Sequence, residues 1–124
     1  LRLQRFLIAQ ASEDLRARAD RLSAQLGIPF RSLRVRDTKT RWGSCSSKAG
    51  LNFCWRLIFA EDAVREYVVA HEVAHLKHMD HSPAFWAQCA ALCPEDLDIE
   101  AAKNTLRVEG NAWHALVFDG SAGR

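Results

Sequence analysis

Apolar residues recur at helical spacing over the first 26 residues of the chain. The repeating apolar residues are Ile8, Ala11, Leu15, Ala19, Leu22 and Leu26. Arginines and carboxylates fill the positions between them, as on an amphipathic helix. Gly27 followed by Pro29 is typical of a helix end. The pattern therefore predicts one long helix over residues 3–26.

Two shorter stretches alternate between apolar and polar residues, which is the pattern of a half-exposed strand. Residues 30–37 alternate apolar with basic side chains, and residues 51–59 alternate again. Between them, residues 38–50 are polar and rich in glycine and serine, which favours a long turn. We therefore predict a short twisted β-sheet or hairpin after the first helix.

The second half of the chain carries three helix-start signals. Glu61 and Asp62 place negative charge where a helix begins. Ser82-Pro83 is typical of an N-cap followed by proline in the first turn, and it predicts a helix to residue 92. Residues 94–96 (Pro-Glu-Asp) repeat that signal and predict a last helix that fades near residue 110. The predicted fold class is α+β.

Composition is consistent with one soluble domain. The chain has 124 residues, 48% of them hydrophobic, and a net charge of +2. A chain of this length buries roughly 65% of its unfolded surface, so it needs no metal merely to fold. No apolar run approaches ~18 residues, so we expect no membrane contact. We predict a single domain over residues 1–118 and a flexible tail over residues 119–124.

Charge is divided unevenly along the chain. Residues 1–56 hold 12 basic against 4 acidic side chains, whereas residues 57–124 hold 5 against 11. The basic half permits contact with a nucleic acid or a nucleotide, although a solvated helix face and a basic hairpin are the favoured explanation. The start of the chain lacks both a methionine and a signal-peptide pattern, which suggests a fragment of a longer protein.

The four cysteines do not form a metal or disulfide pattern. They are Cys45, Cys54, Cys89 and Cys93. No two of them are spaced C-x-x-C, so a structural zinc ribbon is not expected. With no secretory signal and no need for covalent cross-links, we predict free thiols in a reducing, cytoplasmic compartment.

Residues 71–75 read His-Glu-Val-Ala-His, the H-E-x-x-H pattern. On a helix, His71 and His75 lie one turn apart on the same face, so both imidazoles reach one zinc ion. Glu72 lies beside them and is the candidate catalytic base, because zinc lowers the pKa of a bound water to about 7. The largely apolar flanking residues favour a buried site over a surface helix.

A catalytic zinc needs a third protein ligand, and the sequence leaves several open. His81 qualifies if the helix ends near residues 78–80 and the chain turns back, which the following Ser82-Pro83 supports. His78 lies on the right face but about 10.5 Å along the axis from His71. Downstream carboxylates are the remaining candidates: Glu95, Asp96 and Glu100.

Three blocks of sequence resemble the YgjP-like metallopeptidase domain. They are Arg41-Trp42-Gly43-Ser44-Cys45, the stretch 51–58 (LNFCWRLI) and the stretch 71–86 (HEVAHLKHMDHSPAFW). The resemblance implies a small zincin-like domain with a long N-terminal helix, a short sheet, an active-site helix and C-terminal helices. It also implies one Zn²⁺ per chain, with His71, His75 and His81 as ligands and Glu72 as the base.

The spacing from the first to the third ligand is that of the metzincins, which carry glycine at the position of His78. From the pattern of the YgjP-like family itself, the chain departs in two respects. Family members usually carry asparagine at the position of Cys54, so a thiol here is a soft group near the expected cleft. They also tend to have a β-rich segment before the first helix, and no such segment precedes this one.

Five residues are candidates for contact with substrate. They are Arg41, Trp42, Asn52, Cys54 and Arg56. Trp42 is equally well explained as a packing anchor of a hairpin. Arg56 would stabilise a developing oxyanion, a role worth roughly 3 kcal/mol, or it would form a salt bridge to an acidic residue of a helix.

The leading functional hypothesis is a zinc-dependent metallopeptidase that acts on a peptide or unfolded protein. One alternative is a metal-dependent nucleoside triphosphate pyrophosphatase or phosphohydrolase, although the sequence has no glycine-rich phosphate loop. Another is a nucleic-acid-associated protease module of the SprT-like kind, which is suggested by analogy only.

Overall fold

The structure, a computed structural model, describes residues 2–116, and the predicted tail over residues 119–124 lies outside that range. The elements in chain order are α1 (Arg2–Leu26), β1 (Ser32–Arg36), β2 (Gly43–Cys45), β3 (Gly50–Cys54), a 3₁₀-helix (Trp55–Phe59), α2 (Asp62–Ala74), α3 (Pro83–Leu92) and α4 (Ile99–Ala115). Four α-helices around a small mixed sheet make an α+β fold, as predicted.

Helix α1 matches the prediction to within one residue. Its apolar stripe is buried, with Leu15 and Leu22 fully inaccessible. The helix ends at Gly27, which adopts a left-handed φ of 83° and donates its backbone N–H to the carbonyl of Ser23 at 2.8 Å. Glycine adopts that conformation without a Cβ penalty, and this explains why the helix ends there.

The sheet has the strand order β1-β3-β2. Strand β1 runs parallel to β3, whereas β2 and β3 form an antiparallel hairpin. The predicted strand over residues 51–59 was wrong beyond Cys54, where a 3₁₀-helix begins. The last pairs of β3 are Arg36 with Cys54 and Gly43 with Phe53. Neither β1 nor β2 continues alongside the residues after Cys54. Those residues therefore have no neighbouring strand to pair with, and they do not remain extended.

Helix α2 lies at the centre of the molecule and packs against α1, α3, α4 and β2. Its Glu66 is 3% exposed and is bound by two guanidinium groups of α1, those of Arg18 at 2.8 Å and Arg21 at 2.7 Å. A buried carboxylate is costly unless it is paired and hydrogen-bonded. These ion pairs therefore fix α1 against the helix that carries the H-E-x-x-H pattern.

The last two helices confirm one predicted start and correct another. The side chain of Ser82 accepts a hydrogen bond from the backbone N–H of Phe85, which makes it the N-cap of α3 as expected. Helix α4, however, is capped by Asp98 rather than by residues 94–96, and it continues past Gly110 to Ala115. A bare Cα at Gly110 lets the ring of Trp42 pack against α4, so this glycine serves packing inside the helix.

One hydrophobic core joins the helices and the sheet. Its largest fully buried side chains include Trp55, Phe53 and Phe85. All four cysteines are free, as predicted, and three of them are buried: Cys54, Cys89 and Cys93. Within residues 2–116, no helix combines the length and apolar character needed to cross a membrane.

Candidate metal centre

Three histidines come together where α2 ends and the chain reverses. His71 lies in the last turn of α2, and His75 is the C-cap residue directly after it. The chain then turns and returns to the N-cap of α3, which places His81 beside the first two. The helix thus ends somewhat earlier than residues 78–80, but the reversal that the sequence predicted is present.

The imidazole nitrogens of these histidines are spaced as metal ligands require. The Nε2 atoms of His71 and His81 lie 3.4 Å apart. One ligand nitrogen from each of the three rings lies within 4.8 Å of the other two. Tetrahedral Zn–N bonds of ~2.0–2.1 Å place ligand nitrogens about 3.3 Å apart. The cluster therefore fits a single ion with only small adjustments of the side chains.

Hydrogen bonds at the Nδ1 atoms of His71 and His75 orient these two rings for binding a metal. Nδ1 of His75 lies 2.9 Å from the carbonyl oxygen of His78, which can only accept, so Nδ1 carries the proton. The hydroxyl of Tyr67 lies 3.3 Å from Nδ1 of His71. Such partners fix the ring orientation and tautomer of metal-binding histidines. In His75 this arrangement leaves the Nε2 lone pair for an ion.

The surroundings of the cluster favour neutral imidazoles. Burial, with the neighbouring His75 and His81, lowers the pKa of His71 to about 4. Burial likewise lowers the pKa of His75 below its ordinary value. The ring of Phe85, which is fully buried, stacks on His75 with centroids 4.3 Å apart. Since only a neutral imidazole offers a lone pair, these histidines are ready to bind a metal at neutral pH.

Glu72 lies beside the histidines and is only 7% exposed. It packs against strand β2 at Gly43, where the Cβ of any larger residue would lie 2.9 Å from Cγ of Glu72. Burial raises the pKa of Glu72 to about 7, although the nearby positive charge of Arg41 opposes the rise. A carboxyl group of this pKa exchanges a proton readily near neutral pH, which suits a general base and acid.

The other third-ligand candidates lie elsewhere. Among residues 2–116, the group of histidine, cysteine and carboxylate side chains close enough to share an ion is His71, His75 and His81. Neither the downstream carboxylates nor the ring of His78 belongs to it. His78 contributes its backbone carbonyl instead, as the partner of His75.

Two of the five substrate candidates lie on the approach to the centre. Arg41 is exposed and lines a recess together with His71 and Glu72. Trp42 borders the same recess, but its ring packs against α4. It stacks on His114 with centroids 3.8 Å apart, and a Cβ at Gly110 would lie 3.0 Å from its Cζ2. Trp42 therefore anchors β2 to α4 in addition to bordering the site.

The other three candidates do not contact the histidines. Asn52 and Cys54 line a neighbouring cavity on the sheet, and the Cys54 thiol lies 3.5 Å from the carbonyl of Thr38. Arg56 is buried and forms a salt bridge with Asp37 at 2.9 Å. It also donates to the carbonyl oxygen of Trp113 at 2.9 Å. Arg56 thus forms a salt bridge, as the alternative to oxyanion stabilisation expected, but its partner directly follows strand β1 and is not the helix residue that was predicted.

The sequence did not single out Tyr67 and Gly43 as part of this centre. Tyr67 lies four residues before His71, so helical spacing alone would have placed them on one face. The role of Gly43 depends on β2 lying against α2, a contact between residues far apart in the chain. No local pattern in the sequence contains that information.

Comparisons with known proteins give a family and a similar fold. A search among curated proteins gives no significant match. Among solved structures, the metallopeptidase zymogen abylysin of Pyrococcus abyssi has a similar fold, with a TM-score of 0.64 at 19% identity over 77% of this chain and 95% of that one. The model of the YgjP-like metallopeptidase domain matches residues 1–109. The chain therefore belongs to the YgjP-like metallopeptidase domain family.

Proposed function

We propose that the protein is a zinc-dependent peptidase in which His71, His75 and His81 hold one Zn²⁺ and Glu72 is the catalytic base. The observation that carries the proposal is the convergence of three imidazoles beside a buried carboxylate. Three neutral nitrogen ligands form a typical catalytic zinc set, because they leave a fourth position for water or substrate.

The residues of the chain divide the chemistry among them. When bound, a zinc ion supplies Lewis acidity, which polarises a carbonyl and makes water more acidic. Glu72 accepts the proton of the attacking water at its carboxylate and then delivers it to the leaving amine. Its low exposure keeps bulk water from competing for that proton. Tyr67 and the carbonyl of His78 hold two imidazoles in place during this exchange.

Strand β2 offers a place for an extended peptide. Among the described residues, β2 pairs with β3 on one side only, so it lies at the edge of the sheet. It packs against α2 beside Glu72. An edge strand has free backbone N–H and C=O groups with which a peptide can pair as an added strand. Substrate held there would present its backbone carbonyl next to the base.

Family and fold favour a peptidase over the two alternatives. The matched family is one of metallopeptidases, and the similar solved structure is a metallopeptidase zymogen. Neither observation supports a nucleotide substrate or a nucleic-acid partner. The two alternatives are therefore considered only as competing outcomes of experimental tests.

The test uses the purified chain loaded with zinc and two variants. Wild-type protein should hold about one zinc and cleave unfolded casein. Glu72→Gln should keep the zinc and lose hydrolysis, whereas His75→Ala should lose both. Release of pyrophosphate or phosphate from nucleoside triphosphates, with casein left intact, would replace the peptidase with a nucleotide hydrolase.

A further inference from the structure

Outside the metal centre, the sheet carries a cavity of ≈ 450 Å³ beside the loop from Thr38 to Arg41. We call it the basic cavity, because three cationic residues line it: Arg36, Lys39 and Arg41. Among the described residues that line it, none is acidic. A concave surface with charge of one sign concentrates its field inside the cavity and attracts the opposite charge.

The acidic residue nearest in sequence is already engaged. Asp37 pairs with the buried Arg56 at 2.9 Å, and this guanidinium holds the pKa of Asp37 below its usual range. The carboxylate of Asp37 therefore pairs with Arg56, and its negative charge also offsets part of the charge of Lys39. Among the described residues no ion pair engages Arg36 or Arg41, so their charges remain for an external anion.

The loop that carries two of these cations is held by hydrogen bonds. Thr38 donates from its hydroxyl to the carbonyl of Arg41 at 2.7 Å, closing the loop on itself. The thiol of Cys54 lies 3.5 Å from the carbonyl of Thr38 beneath it. On the opposite wall, Nε of Arg36 donates to Oδ1 of Asn52 at 3.2 Å. That bond orients the guanidinium and leaves its other N–H groups available to an anion.

The basic cavity adjoins the metal centre. Gly43 and Ser44 of strand β2 line both the basic cavity and the recess that contains Glu72 and the three histidines. A peptide lying along β2 would therefore pass from one to the other. The buried Phe53 and Cys54 give the cavity an apolar floor, which suits the methylene groups of a side chain.

We propose that the basic cavity binds a carboxylate of the peptide substrate, close to the bond that is cleaved. The carboxylate belongs either to an acidic side chain or to the C-terminus of the peptide. The inference rests on the proposed peptidase function for its substrate class, but it can be tested by binding alone. Guanidinium–carboxylate bonds are among the strongest hydrogen bonds between side chains, which makes an acidic peptide the preferred ligand.

The test measures binding of small probes to the zinc-loaded chain by ¹H–¹⁵N NMR. N-acetyl-glutamate N-methylamide carries a side-chain carboxylate, and N-acetyl-glutamine carries a terminal one. N-acetyl-glutamine N-methylamide carries neither. We expect one carboxylate probe to bind roughly tenfold more tightly than the neutral probe, with shifts at the amides of Arg36, Lys39 and Asn52. The tighter probe identifies the source of the carboxylate.

Matched double variants separate the basic cavity from the metal. Arg36→Gln with Lys39→Gln removes two cavity charges, and the preference for the carboxylate should disappear. Arg34→Gln with Lys48→Gln removes two exposed charges that do not line the cavity, and the preference should persist. If the cavity variant binds carboxylates as well as wild type, they bind at the zinc instead and the inference fails.

Two further outcomes would also overturn it. Equal binding of all three probes would show that the cavity does not select carboxylates. Inorganic phosphate that shifts the same amides at lower concentration than either carboxylate, at matched ionic strength, would assign the basic cavity to phosphate. A wild-type chain that binds carboxylates there yet cleaves no casein would refute the peptidase function and leave the carboxylate site standing.

Discussion

Gly43 determines how closely strand β2 approaches the carboxylate of Glu72. A Cβ at this position would lie 2.9 Å from Cγ of Glu72 and 3.1 Å from Cδ1 of Phe53. Phe53 is buried in the core and has no room to move, so Glu72 would be displaced. The glycine is needed for this close approach, because any larger side chain would push the base out of position.

We therefore expect Gly43→Ala to reduce the rate of casein hydrolysis by about a hundredfold. A displacement of a catalytic group by about 1 Å lowers the reaction rate by about that factor. Zinc content should be unchanged, because the atoms nearest to a Cβ at this position belong to Glu72 and Phe53 and not to the histidines. Ser47→Ala, at an exposed position in the same hairpin, serves as the control. A Gly43→Ala protein with wild-type turnover would show that Glu72 does not need this contact.

Tyr67 is the residue through which His71 is oriented. Its hydroxyl, 3.3 Å from Nδ1 of His71, is the part of the side chain that Tyr67→Phe removes, while the buried ring is retained. Partners of metal-binding histidines typically contribute 10–100-fold to metal affinity. Competition with a chelator should therefore show zinc binding about tenfold weaker in Tyr67→Phe, with thermal stability of the apoprotein little changed. Unaltered zinc affinity would leave Tyr67 with a packing role only.

At the scale of elements, Arg56 ties the 3₁₀-helix to the end of β1 and to the C-terminus of α4. It reaches Asp37 at 2.9 Å and the carbonyl oxygen of Trp113 at 2.9 Å. These bonds satisfy backbone groups at the end of α4, where helix carbonyls have no partner within the helix. Arg56 thus stabilises the element that holds Trp42, and through Trp42 it stabilises strand β2.

Replacing Arg56 with methionine should lower the free energy of unfolding by about 2 kcal/mol, because the carbonyl oxygens of Trp113 and Leu116 lose their donor, whereas Asp37 is exposed enough to be hydrated. Urea titration measures this loss, with Arg34→Met, at an exposed position on β1, expected to stay within about 0.5 kcal/mol of wild type. Full stability together with lost hydrolysis in Arg56→Met would instead assign Arg56 to the reaction.

The elements show which parts of a fold a local pattern can predict. The bounds of α1 and the start of α3 follow from signals within a few residues, Gly27 in one case and Ser82-Pro83 in the other. The end of β3 does not, because it depends on where its neighbours stop pairing. The sequence likewise predicted that the last helix fades near Gly110. Gly110 instead lies inside α4, where the ring of Trp42 packs against it.

The same division holds for the site. The spacing of His71 and His75 on one helix is local, so the sequence predicts their convergence. His81 joins them after a chain reversal for which the sequence contains a proline signal. The packing of Glu72 against Gly43 and the burial of Arg56 depend on tertiary contacts, and the sequence therefore left the role of Arg56 open.

At the scale of the whole molecule, none of the three histidines belongs to the hydrophobic core, which is formed by apolar residues of all the helices and the sheet. His71 and His75 lie at the end of α2 and His81 lies just before α3, so we expect the core to form without the metal. We expect a chelator to leave the far-UV circular dichroism spectrum essentially unchanged and to lower the melting temperature by several degrees, because only the folded state binds zinc tightly. Loss of helicity on chelation would show that folding requires the metal, as in zinc fingers.

The central claim is that His71, His75 and His81 together hold one zinc ion, and anomalous diffraction at the zinc edge tests it most directly. A crystal of the zinc-loaded chain should show one peak per molecule, within about 2.0–2.1 Å of a nitrogen of each of the three imidazoles. A peak bound by a carboxylate in place of His81, or no peak among the histidines, would contradict the account.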